Sequence, residues 1–546
     1  MKNRTIVIVG GALAGPTAAA RAREIDEHAR IVLIERNRRV GYAQCGLAYH
    51  LSGEAGSLDD LDQERAEFFS SVYGVEVWTE AEAVALDPAL HEVSVRRAGR
   101  VERVGYDSLI VALGAASLIP DKLDVHAENM VCFRTLDDLD AIQNALSNGE
   151  RRIAVIGGGP MGIEAADGLI RAGAEVTLIE REPRLLSGFG PRIADRALRA
   201  LRRRARVVTA ATINSIEPSG GRINAVILSN RKRIETDLVI AAIGLEPRTG
   251  LLRAAGAALA DDGTAEIDER AATSLPDVYA CGVCVSAPQA VTGRRVWSAQ
   301  GAIADKTAQV AGANAAGGSA SLAPFLGSML VRAAQTTLGR TGLSQAAAAA
   351  HFGREAIAVT TVHAPARERY VSPAPLMLLQ LIWRRSDGRV LGIEAAGEAG
   401  VDKRIDAASG FIASGVTIEQ LAAADFGYEP PYNAARDPLN VAATVGAFER
   451  AGLGRSIEPE DLAKLLASVQ VIDVSAAKAG AVIAGAAAIP LEELRTRLDG
   501  LDRSRPVVTV SETGRRGWLA ARILSQNGFS DVANLSGGLL AWPPTD

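Results

Sequence analysis

Cys45 lies in the run Gly41-Tyr42-Ala43-Gln44-Cys45-Gly46-Leu47-Ala48-Tyr49, and no second cysteine stands near it in the chain. An internal redox disulfide needs two cysteines a few residues apart, and this segment offers one. A lone thiol in a redox role must complete its cycle with something else: a substrate thiol, a persulfide or oxygen. Its thiolate is the form that attacks a disulfide sulfur efficiently. The plain alternative, an inert buried thiol, is the ordinary fate of a free cysteine. The other three cysteines, Cys132, Cys281 and Cys284, read as packing residues, and the six dispersed histidines show no metal-ligand spacing.

Two strand–turn–helix–strand units could position this thiol beside nucleotides. In the first, Thr5-Ile6-Val7-Ile8-Val9 leads into Gly10-Gly11-Ala12-Leu13-Ala14-Gly15, a helix follows through Arg23, and the strand Ile31–Ile34 ends at Glu35. Gly10 permits the tight turn and Gly15 the close helix–strand packing, while Ala12 weakens the match at the middle glycine. A pyrophosphate is expected on the helix N-terminus, with Glu35 on a ribose hydroxyl. The second unit is cleaner: Arg152–Ile156 leads into Gly157-Gly158-Gly159-Pro160-Met161-Gly162, with Gly157, Gly159 and Gly162 in register, and the strand Glu175–Ile179 ends at Glu180. An acidic residue there favours the free 2′-hydroxyl of NADH, although the adjacent Arg181 keeps NADPH possible. Two units imply two nucleotides, FAD in the first and a nicotinamide in the second.

The 546 residues are enough for roughly three domains. A net charge of −5 gives no basic field for nucleic acid or an anionic membrane. No apolar stretch is long enough to span a bilayer, and the chain enters its first strand with no signal-like segment. Few cysteines in so long a chain point to a reducing compartment, so a cytoplasmic location is expected.

Three further segments carry a family resemblance: Tyr106–Ala115, Asp237–Pro247 and Thr273–Val283. Together with the two units they resemble the two-dinucleotide-domain flavoprotein disulfide reductases. The lone Cys45 resembles the branch of coenzyme A disulfide reductases, NADH oxidases and NADH-dependent persulfide reductases. Gly388–Gly392 with Gly400–Asp406, and Tyr428–Tyr432 with Ala435–Asn440, look like that branch's dimerisation domain.

The resemblance implies an α/β protein with two Rossmann-like dinucleotide-binding domains, an α+β dimerisation domain and a C-terminal rhodanese-like α/β domain. Its expected boundaries are 1–115 and 237–322 for FAD, 116–236 for NAD(P)H, 323–447 for dimerisation and 460–546 for the rhodanese-like part. It assigns cofactor contacts to Gly10, Gly15, Glu35, Arg36, Ala112, Gly114, Gly244, Gly282 and Val283, and in the second unit to Gly157, Gly159, Gly162 and Glu180. It implies a homodimer in which Tyr370 and Tyr428 reach the partner's cysteine. The implied activity is NAD(P)H-driven reduction of a small disulfide or persulfide through Cys45. The alternatives are an oxidase using oxygen or a quinone, and a non-enzymatic redox sensor.

Several positions depart from the family pattern. Val283 stands where an aspartate usually bonds the FAD ribityl chain, a loss of about 1.5–3 kcal/mol in cofactor binding. Glu24 after Arg23, Gly41 and Gln44 differ near the expected thiol-carrier entrance, which points away from a tight grip on coenzyme A. After a polar linker over Glu449–Pro459, the segments Val471–Val474, Gly485–Pro490 and Asn534–Trp542 resemble a rhodanese. Ser511 occupies the position of the rhodanese cysteine, and Val482 that of a usual histidine. A serine hydroxyl neither ionises readily nor carries sulfane sulfur, so no sulfurtransferase activity is expected.

Overall fold

The computed structural model describes residues 4–57, 61, 65–119, 121–123, 126–476 and 482–542. It divides into two compact units, Met1–Leu186 with Leu201–Gly327, and Ser187–Ala200 with Ser328–Asp546.

The first unit holds two parallel sheets. Strand β1 (Thr5–Val9) is β-branched throughout and its last four residues are buried, as a strand covered on both faces requires. Helix α1 (Ala14–Ile25) follows, and β2 (Arg30–Ile34) returns parallel to β1. The full order is Val278–Ala280, Ser108–Val111, β1, β2 and Val75–Trp78. Helix α1 buries a face of small residues, among them Ala18, Ala19 and Ala22. That face admits the helix Gly301–Ala315 so closely that a Cβ on Gly312 would stand 2.3 Å from the Ala18 carbonyl oxygen. The short helix α2 (Leu47–Leu51) carries the chain on from Cys45.

The second sheet is built from β3 (Arg152–Ile156), β4 (Glu175–Ile179) and β5 (Arg206–Val208), with Leu238–Ala241 and Met130–Val131 beyond β3. Helix α3 (Pro160–Arg171) joins β3 to β4, and α4 (Pro191–Arg202) precedes β5. One boundary expected from sequence moves. Leu238–Ala241, assigned to the first nucleotide domain, pairs in parallel with β3 and so completes the second sheet.

In the second unit, Met329–Ala333, Thr336–Gly342, β6 (Ile357–Pro365), Leu376–Arg384 and Val390–Gly397 form an antiparallel sheet. The ion pair Arg404–Asp437, 3.0 Å apart and almost wholly buried, ties the helix Val401–Ala413 to the cap of Pro438–Arg450. A further parallel sheet runs Ser456–Ile457, β8 (Val532–Leu535), β7 (Val507–Val510), Gln470–Asp473 and Ala487–Ala488. Helix α5 (Arg515–Ser525) follows β7. The linker expected over Glu449–Pro459 shrinks to a few residues, because Pro438–Arg450 is helical and Ser456–Ile457 already pairs with β8.

Candidate functional site

A cavity of about 680 Å³ opens within the first unit at the carboxyl end of β1. It brings together Gly10, Glu35, Arg36, Cys45, Ala112, Gly114 and Val283 of the residues singled out from sequence.

Geometry explains the glycines. Gly10 has φ +107°, and a Cβ there would lie 2.3 Å from the Ala112 carbonyl oxygen. A Cβ on Gly15 would meet the Gly10 carbonyl oxygen at 1.8 Å, so α1 can start against β1 only with glycine there. The first turn of α1 has no acidic residue and no side-chain cap, and Ala12, Leu13 and Ala14 line the cavity. Helix N–H groups and the macrodipole thus favour an anion at this point.

Glu35 is 8% exposed, and its carboxylate accepts from the Gly11 amide at 2.6 Å and the Asn37 amide at 2.8 Å. These bonds hold the acid at the cavity wall, with lone pairs left for hydroxyls.

The second strand–turn–helix–strand segment, in the same unit, repeats the device. Gly157 has φ +110° and its Cβ would sit 2.3 Å from the Ala242 carbonyl oxygen, while a Cβ on Gly162 would lie 1.9 Å from the Gly157 carbonyl oxygen. Glu180 accepts from the amides of Gly158 at 2.5 Å and Glu182 at 2.8 Å. Gly159 precedes α3 as an uncapped N-terminus, with Pro160 opening the helix. Gly244 takes φ +136° between Leu238–Ala241 and Leu245–Pro247, and its carbonyl accepts from Leu118. Gly282 takes φ +82° and donates to the Thr307 hydroxyl, with Ala14 Cβ only 2.9 Å from where its own Cβ would stand. The Val283 carbonyl accepts from the Trp297 indole at 2.7 Å, and its side chain offers the cavity no acceptor where an aspartate would.

Sequence reasoning missed Tyr42, Arg134 and Arg248, which also line the cavity. Burial pulls the Arg134 and Arg248 guanidinium pKa values down, and for Arg248 the nearby Arg36 and Arg134 add to the effect. Three guanidiniums at one cavity are costly without an anion among them. Arg248 directly follows the run Asp237–Pro247 already singled out, and that was the only signal available. Arg134 precedes the capping box of Thr135 and Asp138 and carried no motif of its own.

Cys45 sits in a 3-10 turn, Gln44–Gly46, immediately before α2, and is exposed toward the cavity. Helix α2 lies against α3, where a Cβ on Gly168 would stand 2.7 Å from the Ala48 carbonyl oxygen. His50 and Gln143 meet at 2.9 Å and hold α2 to the helix Leu136–Ser147. The surroundings of the thiol do not favour the thiolate. Desolvation first, and then the Glu164 carboxylate of α3, push the Cys45 pKa up. Cys281 and Cys284 are fully buried, and burial raises both thiol pKa values. Among the described residues no cluster of His, Cys, Asp and Glu could hold a metal ion.

In the second unit the hydroxyls of Tyr370 and Tyr428 lie 3.4 Å apart, both on exposed side chains. The hydrogen bond with Tyr370 pushes the Tyr428 pKa up to about 12, so its hydroxyl stays protonated at neutral pH. The Ser511 loop is closed. Ser511 is 1% exposed, its Oγ accepts from the Gly517 amide at 3.0 Å, and its carbonyl accepts from Leu539. Gly538 has φ +67°, and a Cβ there would strike the Gly514 amide nitrogen at 2.2 Å. Val482 is exposed.

The site and fold define a flavin-type oxidoreductase with two dinucleotide cradles, and comparison with known proteins makes the class definite. The family model "Pyridine nucleotide-disulphide oxidoreductase" matches residues 4–305, its dimerisation-domain model residues 331–438, and a rhodanese-like domain model residues 458–543. An NADH oxidase of Methanocaldococcus jannaschii is 30% identical over 80% of this chain and 97% of its own. The NAD-dependent persulfide reductase of A. fulgidus superposes with a TM-score of 0.93 at 30% identity, covering 99% of this chain and 100% of that one. Reduced CoADR-RHD of Bacillus anthracis does so with a TM-score of 0.93 at 27% identity, covering 98% and 97%. The chain therefore belongs to the pyridine nucleotide-disulphide oxidoreductases and carries a C-terminal rhodanese-like domain. The family's cofactors, FAD and a nicotinamide nucleotide, suit the two cradles, each with its glycine turn, uncapped helix start and amide-held glutamate. Among the described residues no helix is long and apolar enough to cross a membrane.

Proposed function

We propose that this enzyme uses NADH to reduce a low-molecular-weight disulfide or persulfide through the single thiol of Cys45. The observation that carries the reading is a lone cysteine, exposed on the wall of a nucleotide-sized cavity, with no second thiol beside it. For a disulfide the balance is RSSR + NADH + H⁺ → 2 RSH + NAD⁺. Bound FAD supplies the two-electron relay between nicotinamide and sulfur.

The chain's own groups do the rest. The start of α1 and Arg36, Arg134 and Arg248 receive the anionic part of FAD, and Glu35 takes its ribose hydroxyls. Glu180 selects a free 2′-hydroxyl on the nicotinamide nucleotide. Cys45, as thiolate, attacks one sulfur of RSSR; the S–S bond breaks, RS⁻ leaves, and R–S–Cys45 forms. Two electrons and a proton then release the second RSH and restore the thiolate. The enzyme works as a homodimer, in which Tyr428 of the partner subunit, bonded to the partner's Tyr370, donates a hydrogen bond to the leaving sulfur.

Coenzyme A disulfide belongs to the substrate class, but the arginines beside Glu24, where the resemblance implies the carrier entrance, are engaged. The Arg23 guanidinium is spent on the carbonyls of Tyr73, Asp26, Glu27 and Gly74, and Glu24 pairs with Arg21. A carrier with fewer phosphates fits this entrance better. The rhodanese-like domain, with Ser511 in place of the cysteine, carries no sulfane sulfur.

The test is NADH consumption by the FAD-loaded enzyme under argon with coenzyme A disulfide, a smaller disulfide or a persulfide. Thiol release matching NADH oxidation is expected. NADH consumption that requires air and yields no thiol would assign the enzyme to the oxidases instead.

A further inference from the structure

The second sheet carries an unassigned groove at the end opposite its dinucleotide cradle. Arg152 and Glu175 face each other at the start of β3 and β4, whereas Ile156 and Ile179 pair at their carboxyl ends, next to Gly157 and Glu180. The groove, about 720 Å³, lies at the starting end. It is lined by Arg202, Arg203, Arg204 and Arg206, where α4 runs out into β5, and by Arg152 and Arg233.

The six arginines divide into two sets. Arg152 and Arg233 are neutralised: Arg152 pairs with Glu235 and Asp237, Arg233 with Glu217 and Glu235. Arg202, Arg203, Arg204 and Arg206 are exposed, and none pairs with a carboxylate of the described residues. Other arginines of the chain do find acids, as Arg30, Arg96, Arg192 and Arg222 show. Glu175 is the one lining carboxylate not engaged by these pairs. One or two such arginines at a helix carboxyl end would be explained by the helix dipole. Four, three of them beyond the helix and all around one concavity, exceed that need.

We propose that this groove binds the clustered phosphates of a small nucleotide-class ligand, at a site separate from the FAD and NADH cradles. Guanidinium forks match phosphate oxygens two by two, and four of them on a concave wall suit a di- or triphosphate. Val176, Thr177 and Ile234 provide a less polar floor for an attached base. The volume lies within the range of small-ligand sites. The chain's overall negative charge opposes docking to an anionic membrane or a long polyanion, which leaves a compact ligand as the occupant.

The test is calorimetric titration of the full-length, FAD-loaded enzyme in excess NAD⁺, so that both cradles are filled, with inorganic tripolyphosphate and separately with ATP. One equivalent per chain is expected to bind, more weakly as salt rises. R202Q/R203Q/R204Q/R206Q is expected to weaken binding at least about tenfold, and R203Q/R204Q by an intermediate factor, with NADH turnover unchanged. The double variant keeps the test open should the quadruple one fold poorly. Tighter binding of ATP than of tripolyphosphate assigns part of the site to the base; equal binding assigns it to the phosphates alone, and either supports the proposal. No binding of either probe at low salt overturns it. So does binding that the variants leave unchanged, or capture by anionic vesicles without binding of either probe.

Discussion

The Cys45 and Ser511 loops both have a chalcogen side chain just before a helix, in parallel-sheet domains, yet they are opposite in condition. Cys45 is exposed on a cavity wall, in a short 3-10 turn that leads into α2. Ser511 is buried, its Oγ is bonded to Gly517, and its loop is sealed by Leu539 and Gly538. One loop presents a thiol at a cavity, whereas the other encloses a bonded hydroxyl. A fold therefore preserves a loop's shape more readily than its chemistry, and function must be read from the side chain and its access.

The largest effect separates the two loops directly. Cys45→Ser is expected to lower disulfide turnover by more than about a hundredfold, while Ser511→Ala stays within about twofold, in anaerobic NADH assays on both variants. Comparable losses in the two would erase the distinction. Next comes the tyrosine pair. Tyr428→Phe removes the hydroxyl whose pKa the bond to Tyr370 pushes up to about 12, and kcat is expected to fall about tenfold with KM nearly constant. An unchanged kcat would leave the pair as interface aromatics.

A subtler test concerns Glu164. Its carboxylate adds to desolvation in holding the Cys45 thiol protonated. Glu164→Gln removes a negative charge that disfavours the thiolate, so the pH profile of Cys45 alkylation should shift to lower pH. Rates should rise near neutrality and converge at high pH, where both thiols are ionised. A shift in the other direction would mean that Glu164 acts through position rather than charge. The smallest effect is on stability. Ser511→Ala leaves the buried Gly517 amide without its acceptor, at a cost of about 1–3 kcal/mol, measured by denaturant unfolding followed in the rhodanese-like domain.

Much of this was legible in the chain because the signals are local. The buried strands β1 and β3, the glycines at 10, 15, 157 and 162, and the glutamates at 35 and 180 lie within two βαβ units. Their spacing is set by strand and helix lengths alone. The lone Cys45 and the serine at 511 needed only a place in a motif. What stayed hidden depends on distant approach. Arg134 joins the cavity from the edge of another element, Leu238–Ala241 crosses into the second sheet, and the contact of Gly168 with Ala48 brings α3 against the cysteine helix. No periodicity encodes such meetings. The ends of elements also escaped, as the two-residue strand Ser456–Ile457 shows: it is too short to carry a pattern.

The central claim, a single thiol that completes its cycle with an external sulfur, is tested most directly by intact mass spectrometry of the full-length enzyme. FAD-loaded protein would be treated with a small disulfide, freed of excess reagent, and measured before and after NADH under argon. The account predicts one mixed-disulfide adduct per chain, located at Cys45 by peptide mapping, absent in Cys45→Ser and discharged by NADH as free thiol. An adduct that forms elsewhere, or one at Cys45 that NADH leaves in place, would contradict it.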